Sequence, residues 1–220
     1  MKTLSAKAKI SGLTLIELLV VIAVIAILAA MLLPANTHGG KARIPWCMSN
    51  QRQITIGFTI FNSDNSGKYP WQVPATNGGS LEFSPSNHGF PHYRTLTAYL
   101  GKQAQIFVCP SDTIRHSATN LSAILDENIS YFLNLGATSN SASILIGDRN
   151  LEANYKAVNS GASLYTTNLI MNWTRELHGN RNQTRGVLSF ADGHSELVQG
   201  KRLNSIFSAQ PVQTNQIVIP

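Results

Sequence analysis

Two histidines and an aspartate late in the sequence, His178, His194 and Asp192, have side chains that could serve hydrolysis or zinc binding. The histidines are sixteen residues apart across a polar segment, and neither belongs to an H-E-x-x-H pattern. The sequence also contains no G-x-S-x-G, P-loop or G-x-G-x-x-G segment. We therefore expect most of the six histidines to have surface or turn roles, and we expect no enzymatic activity.

Two aspartates, Asp148 and Asp192, each follow an apolar run and could supply oxygen ligands to a metal. With asparagine or backbone carbonyl oxygens they could bind Ca²⁺, which takes six to eight oxygen ligands. No aspartate-rich loop of calcium-binding spacing is present in the sequence. The alternative is that Asp192 stabilises a turn and that Asp148 caps a loop.

The densest basic patch contains Arg175, Arg181 and Arg185, close to Trp173. A basic loop with aromatic residues can bind nucleic acid. This patch also contains Glu176 and only one aromatic residue, so a solvated face is the better interpretation. We expect no nucleic-acid partner.

The elements that must position these residues begin with a long apolar run. Leu13 to Leu33 is interrupted only by Thr14 and Glu17, and its 21 residues would span roughly 30 Å as a helix, the thickness of a bilayer core. Three lysines and no acid precede it, which favours a cytoplasmic N-terminus. Without those lysines the formal net charge falls from +6 to +3, so the basic balance is weak evidence about partners.

One carboxylate inside this run argues against an ordinary signal peptide or anchor. Burying the Glu17 carboxylate in a membrane without a partner costs roughly 3 kcal/mol of free energy or more. Gly12 stands directly before the run, and the lysines stand before Gly12.

The segment from Ser11 to Ile22, SGLTLIELLVVI, resembles the cleavage signal of type IV pilins and type II secretion pseudopilins. The resemblance implies that prepilin peptidase cuts between Gly12 and Leu13 and N-methylates Leu13, which stands where the family most often has Phe. Glu17 becomes the fifth residue of the mature chain, as in the family, and Pro34 falls at a usual pilin proline position. The new Leu13 amine could then pair with Glu17 of a neighbouring subunit and favour assembly.

This resemblance implies three regions and a topology. Residues 1–12 form a leader peptide, residues 13–34 a transmembrane and assembly helix, and residues 35–220 a periplasmic domain of a single-pass protein of the bacterial inner membrane. The implied partners are prepilin peptidase, membrane lipid, further copies of this chain, other pseudopilins and the inner-membrane platform of the assembly machinery. Calcium-binding members of the family keep the Ca²⁺ interpretation open.

The two cysteines, Cys47 and Cys109, would face an oxidising compartment in that topology. One interpretation is a disulfide that ties the long helix to the sheet. The other is a pair of small buried side chains, because the sequence does not fix the distance that a bridge requires.

Further segments resemble the pseudopilin-like proteins of Planctomycetes and Verrucomicrobia, whose C-terminal region is named for an H-X9-DG motif. They are residues 47–54, residues 64–70 and the Cys-Pro turn in residues 107–112. The matching motif residues are His178, Asp192 and Gly193, although thirteen residues rather than nine separate His178 from Asp192. Residues 179–185 contain the extra length.

Periodicity predicts an α+β fold, in which a long N-terminal helix packs through its C-terminal part on a small antiparallel sheet with extensive loops. Helical spacing relates Cys47, Ile54, Phe58 and Phe61, with a bend or break expected between Pro34 and Pro45 and a helix end near Asn62. Further predictions are a helix at 95–100, strands at 106–109, 130–135 and 143–147, a hairpin around Asp192-Gly193, and an edge strand at 217–219.

The sequence therefore favours a structural subunit that polymerises into a type II secretion or type IV pilus-like filament. A membrane-anchored extracytoplasmic binding module that does not polymerise is the main alternative. An anchored hydrolase is a third.

Overall fold

The computed structural model describes residues 14–32, 39–179 and 182–220. The predicted leader, the cleavage position between Gly12 and Leu13, and Pro34 lie outside the described residues. The chain divides into two units, Met1–Gly39 and Gly40–Pro220. Each unit is therefore described by itself.

In the first unit the structure describes helix α1, Leu15–Leu32, whose sequence is apolar apart from Glu17. Its large apolar side chains from Leu15 to Leu28 are between 49% and 81% exposed within the chain. Across the described ranges, no helix combines the length and the hydropathy that a membrane crossing requires.

Helix α1 begins with a reciprocal pair of hydrogen bonds between Thr14 and Glu17. The backbone N–H and Oγ1 of Thr14 donate to Oε2 of Glu17 at 2.7 and 2.6 Å, and the Glu17 N–H donates to Thr14 Oγ1 at 3.3 Å. This is a capping box, the pattern S/T-x-x-E that satisfies unpaired N–H groups at a helix start. Glu17 therefore has a local role that its place in an apolar run does not suggest.

Helix α2, Gly39–Asp64, opens the second unit and buries the predicted apolar face. Cys47, Ile54 and Phe58 are fully buried and Phe61 is 3% exposed. Pro45 lies inside this helix, so a bend or break between Pro34 and Pro45 would have to precede Gly39, in residues that lie outside the described ones. An interior proline lacks the N–H donor and crowds the carbonyl group four residues earlier. Ile44 and Cys47, on either side of it, are both buried and hold this part of α2 in the core.

Among the described residues after α2, three short α-helices and nine strands follow. The helices are α3 Phe90–Arg94, α4 Thr97–Leu100 and α5 Gly200–Ser208. The strands are β1 Tyr131–Asn134, β2 Ile144–Asp148, β3 Leu151–Ala153, β4 Lys156–Ala157, β5 Gly161–Thr166, β6 Met171–Trp173, β7 Arg185–Phe190, β8 Ser195–Gln199 and β9 Thr214–Ile219. This arrangement confirms the α+β class.

The main sheet has six antiparallel strands in the order β5-β9-β1-β2-β7-β8, and a second sheet has the order β4-β3-β6. The predicted strands at 130–135 and 143–147 and the Asp192-Gly193 hairpin correspond to β1, β2 and β7–β8. The predicted edge strand at 217–219 is instead interior, because β9 pairs with both β5 and β1. Residues 104–107 form a 3-10 helix, so the strand prediction at 106–109 was wrong.

The main sheet separates two hydrophobic cores, since successive side chains of a strand point to opposite faces. Tyr131, Leu133 and Val218 join the core that contains α2 residues. The other core takes Phe132 and Ile217, with further residues from β6 and α5. The helix of the second unit thus packs on one face of the sheet, as the periodicity predicted.

Buried His92 on α3 provides a test of this packing. Its side chain is fully buried, and its Nδ1 lies 2.8 Å from Ser80 Oγ. Its Nε2 has no hydrogen-bond partner in the described part of the chain. Burial lowers the pKa of His92 to about 4, despite an opposing contribution from Asp126.

We expect His92 to make folding less favourable in acid. The unfolded chain binds a proton on His92 near its ordinary pKa of about 6.5, whereas the folded chain binds it only near 4. Stability is therefore lost as pH falls through this window, by about 3 kcal/mol at its lower end. Denaturant unfolding of the wild type and of His92→Asn gives the free energy of unfolding of each protein between pH 4 and 7. We expect the wild type to lose more stability than the variant as the pH falls. The same pH dependence in both proteins would contradict the role of His92.

Candidate functional site

Four of the residues singled out in the sequence meet in one buried cluster. Cys47 comes from α2, Cys109 from the loop after the 3-10 helix Ala104–Phe107, Asp148 from the end of β2, and His178 from the loop after β6. The first three are fully buried and His178 is 4% exposed. Long-range packing of α2 on the sheet brings these positions together.

Cys47 and Cys109 form a disulfide with a Cα–Cα separation of 5.1 Å. The bridge predicted as one of two alternatives is therefore present. It joins α2 to a loop 62 residues further along the chain.

Asp148 connects three elements through its carboxylate. Gln51 Nε2 on α2 donates to Oδ1 at 2.8 Å, and the Val187 N–H on β7 donates to Oδ2 at 2.7 Å. Oδ2 also lies 3.3 Å from His178 Nε2. Burial raises the pKa of Asp148 to about 7, although the bonds from Val187 and Gln51 oppose that rise.

His178 turns one ring nitrogen toward the disulfide. Its Nε2 lies 3.4 Å from Cys109 Sγ, and its backbone carbonyl accepts a hydrogen bond from Arg185 Nε at 3.3 Å. Its Nδ1 has no hydrogen-bond partner among the described residues. Burial, helped by the positive charge of Arg185, lowers the pKa of His178 to about 4, so the ring is neutral at pH 7.

Gln51 and Ser189 belong to the same cluster, and the sequence analysis missed both. Gln51 is fully buried, and its Oε1 accepts a hydrogen bond from Ser189 Oγ at 3.1 Å. A signal for Gln51 was available, because it lies four residues after Cys47 on the apolar face of α2. A polar side chain at a core-facing position needs a buried partner. For Ser189 no such signal exists, because the side chain that it contacts depends on how the strands of the sheet pair.

The Cys-Pro turn after Cys109 is held in place by Asp112. Its carboxylate accepts hydrogen bonds from the N–H groups of Ile114 and Arg115, from Ser130 Oγ at 2.8 Å, and from Arg149 at 2.7 and 3.1 Å. Burial raises the pKa of Asp112, but the hydrogen bonds from Arg149, Ile114 and Ser130 outweigh it and lower the pKa overall. The turn that carries Cys109 is therefore fixed by a buried ion pair.

We expect Asp112→Asn to destabilise the domain by about 3 kcal/mol, because it removes one partner of a buried ion pair. Glu176→Gln is the matched control. Glu176 binds the same Arg149 at 2.6 Å, but its side chain is 38% exposed, so its loss should cost less than about 1 kcal/mol. Equal losses in chemical denaturation would contradict the role of Asp112.

Asp192 stabilises the β7–β8 turn, which is one of the two roles that the sequence analysis considered for it. Its Oδ1 accepts from the His194 N–H at 3.0 Å and lies 2.6 Å from His194 Nδ1. Gly193 has a φ of +89°, which favours glycine at this turn. The His194 ring stacks on Phe190 with centroids 4.3 Å apart.

The predicted motif residues therefore have separate partners: His178 contacts the disulfide, and Asp192 contacts His194. Asp148 and Asp192 likewise have different partners. In the part of the chain that the structure describes, the group of three or more His, Cys, Asp or Glu ligand atoms close enough to share an ion is Cys47, Cys109 and His178. Of the basic patch, Arg181 lies outside the described residues, and Trp173 is fully buried, so its ring is not presented to a ligand.

Helix α2 also has an outward face with large apolar side chains. Trp46 is 69% exposed, and Ile56 and Ile60 are 44% and 43% exposed. An open cleft beside this face lies between α2 and the β7–β8 turn and is lined by Met48, Arg52 and His194, among others.

Comparison with known proteins adds one finding. Residues 7–33 match the prokaryotic N-terminal methylation motif. This confirms a prepilin-like signal, and such a motif fits pilin-like proteins that prepilin peptidase processes. No curated protein and no solved structure matches the chain.

Proposed function

We propose that this chain is a structural pilin-like subunit that polymerises into a type II secretion or type IV pilus-like filament after processing by prepilin peptidase. The observation that carries the proposal is the methylation motif at residues 7–33, which includes all of α1. Cleavage falls between Gly12 and Leu13, and Leu13 is the methylated residue.

The exposed apolar surface of α1 supports this function. A helix that is apolar all round requires an apolar environment. Leu15, Val21 and Ile27 lie on different sides of α1 and are all more than half exposed. We propose that lipid of the bacterial inner membrane covers this surface before assembly, with the N-terminus cytoplasmic and the domain periplasmic. Neighbouring copies of α1 cover it in the filament.

Glu17 supplies the assembly contact. Its Oε2 accepts two hydrogen bonds from Thr14, and the remaining acceptor capacity of the carboxylate is free to take part in a charge pair with a second subunit. Cleavage creates the amine of Leu13 at the same end of the chain. An ion pair between Glu17 of one subunit and Leu13 of its neighbour would fix the axial register of the filament.

The outward face of α2, defined by Trp46, Ile56 and Ile60, supports contacts between subunits in the second unit. Isolated exposed apolar residues are ordinary, but Trp is enriched in the buried centres of protein interfaces. This face is available for neighbouring pilin-like subunits and for the inner-membrane platform that assembles them.

Edman sequencing of protein isolated from membranes tests the processing step. We expect a sequence that begins at N-methylated Leu13. A strain without prepilin peptidase is the control and should give a chain that begins at Met1. A chain that begins at Met1 in the presence of the peptidase would overturn the proposal.

The open cleft beside α2 favours a second candidate, a membrane-anchored binding module that does not polymerise. Shearing cells and pelleting released polymers distinguishes the two. Filaments that contain this chain support the structural subunit. Correctly cleaved chains that remain entirely in the membrane fraction support the binding module.

A further inference from the structure

The disulfide and His178 place three good metal-binding atoms in one buried position. The two sulfurs and the nearer ring nitrogen all lie within 4.8 Å of one another. They come from three separate segments that the fold holds together: α2, the Cys-Pro turn and the loop after β6. Two thiolates and one imidazole form the ligand set of Cys₂His zinc sites.

The distances fit a tetrahedral ion. Zinc bonds of about 2.3 Å to sulfur and about 2.0 Å to nitrogen place the two ligand atoms roughly 3.5 Å apart. Cys109 Sγ and His178 Nε2 are 3.4 Å apart. The Cys47 and Cys109 Cα atoms are 5.1 Å apart. Rotation about the two Cα–Cβ bonds then separates the reduced sulfurs.

The contact of His178 with Cys109 does little to stabilise a closed disulfide. Its polar contacts are on the Nε2 side, toward Cys109 and Asp148, and its Nδ1 has no hydrogen-bond partner among the described residues. Sulfur is a weak hydrogen-bond acceptor, so the contact between His178 Nε2 and Cys109 Sγ adds little stability while the disulfide is closed. A neutral imidazole beside two thiolates is an ordinary metal ligand.

The charges also suit a buried ion. Two thiolates balance one divalent cation, and an imidazole ligand adds no charge. Asp148 Oδ2 lies 3.3 Å from the same His178 nitrogen, but Asp148 is not part of the group of ligand atoms that lie within 4.8 Å of one another. Soft thiolates select zinc over Ca²⁺, which prefers oxygen ligands.

We propose that reduction of the Cys47–Cys109 disulfide by a dithiol converts this cluster into a Zn²⁺ site whose ligands are both cysteines and Nε2 of His178. The dithiol passes two electrons and two protons to the protein sulfurs and becomes a disulfide itself. Zinc then displaces the two thiol protons and forms two Zn–S bonds and one Zn–N bond. The oxidised domain lacks the thiolates and binds no zinc at this position.

Cobalt titration of the full chain in detergent tests this site. The protein is reduced with dithiothreitol, freed of it anaerobically, and titrated with Co²⁺, whose thiolate complexes absorb in the near-ultraviolet and visible. We expect one Co²⁺ per chain, its displacement by one Zn²⁺, and no such absorption from the oxidised protein. A reduced, folded chain without thiolate-to-cobalt absorption would overturn the site.

Substitutions identify the ligands. We expect His178→Gln and Cys47→Ser each to weaken Zn²⁺ binding at least about tenfold, since even supporting residues of metal sites have effects of that size. His194→Gln, at an exposed histidine that contacts Asp192, is the control and should bind as the wild type. Unchanged affinity in both ligand variants would contradict the assignment.

If loss of the disulfide unfolds the reduced chain, refolding on addition of Zn²⁺ tests the site instead. Near-ultraviolet circular dichroism then follows refolding as Zn²⁺ is added. Recovery of the native spectrum supports the site, because zinc binding to a folded site stabilises it. A reduced chain that stays unfolded at saturating Zn²⁺ overturns the proposal.

Discussion

Removing the Cys47–Cys109 bridge will lower the free energy of unfolding by about 4 kcal/mol. The bridge closes a loop with a sequence separation of 62 residues, and the chain-entropy relation gives this magnitude for a loop of that size. For a domain of this length the melting temperature should fall by roughly 10 °C. Thermal unfolding of the Cys47→Ala/Cys109→Ala variant measures the effect.

A reductant provides the internal control for this experiment. Wild-type protein melted in the presence of reductant, with a chelator to remove zinc, should lose about as much stability as the double variant. The double variant itself should not respond to reductant. If the wild-type midpoint is the same with and without reductant, the bridge does not stabilise the fold.

Replacing Glu17 by Ala will leave cleavage intact but reduce incorporation into filaments by roughly 100-fold. Loss of a buried charge partner costs about 3 kcal/mol, and each 1.4 kcal/mol is about a factor of ten in affinity. Immunoblots of the sheared polymer fraction and of the membrane fraction measure incorporation and processing separately. Incorporation at the wild-type level would contradict the proposed charge pair.

The capping box at Thr14 and Glu17 makes a second variant necessary. Glu17→Gln removes the charge but retains a side chain that can accept the Thr14 N–H bond, because glutamine also serves in capping boxes. If the charge pairs with Leu13 of a neighbour, Glu17→Gln should assemble as poorly as Glu17→Ala. If Glu17 only caps α1, Glu17→Gln should assemble normally.

Local patterns in the sequence predicted the elements that local chemistry determines. The methylation motif follows from Gly12 and Glu17 around one apolar run, and the buried face of α2 follows from helical spacing at Ile54 and Phe58. The β7–β8 hairpin follows from the turn preference of Asp192-Gly193. Each of these signals lies within a short window of sequence.

Features that depend on distant pairing were predicted less well. Strand β9 appeared to be an edge strand because nothing near 217–219 reveals that β5 and β1 flank it. The candidate site shows the same limit, since a family motif linked His178 to Asp192 despite the different spacing. The fold instead places His178 beside Cys109, 69 residues away in sequence.

The interior position of β9 also determines when the domain can fold. Residues 214–219 pair with β1, some 80 residues earlier, and with β5, so the central sheet is incomplete until residue 219 has been delivered. Such distant pairing closes slowly, because the entropy of a long loop must be overcome first. Native structure of the second unit therefore forms only once this last strand is available to pair with β1 and β5.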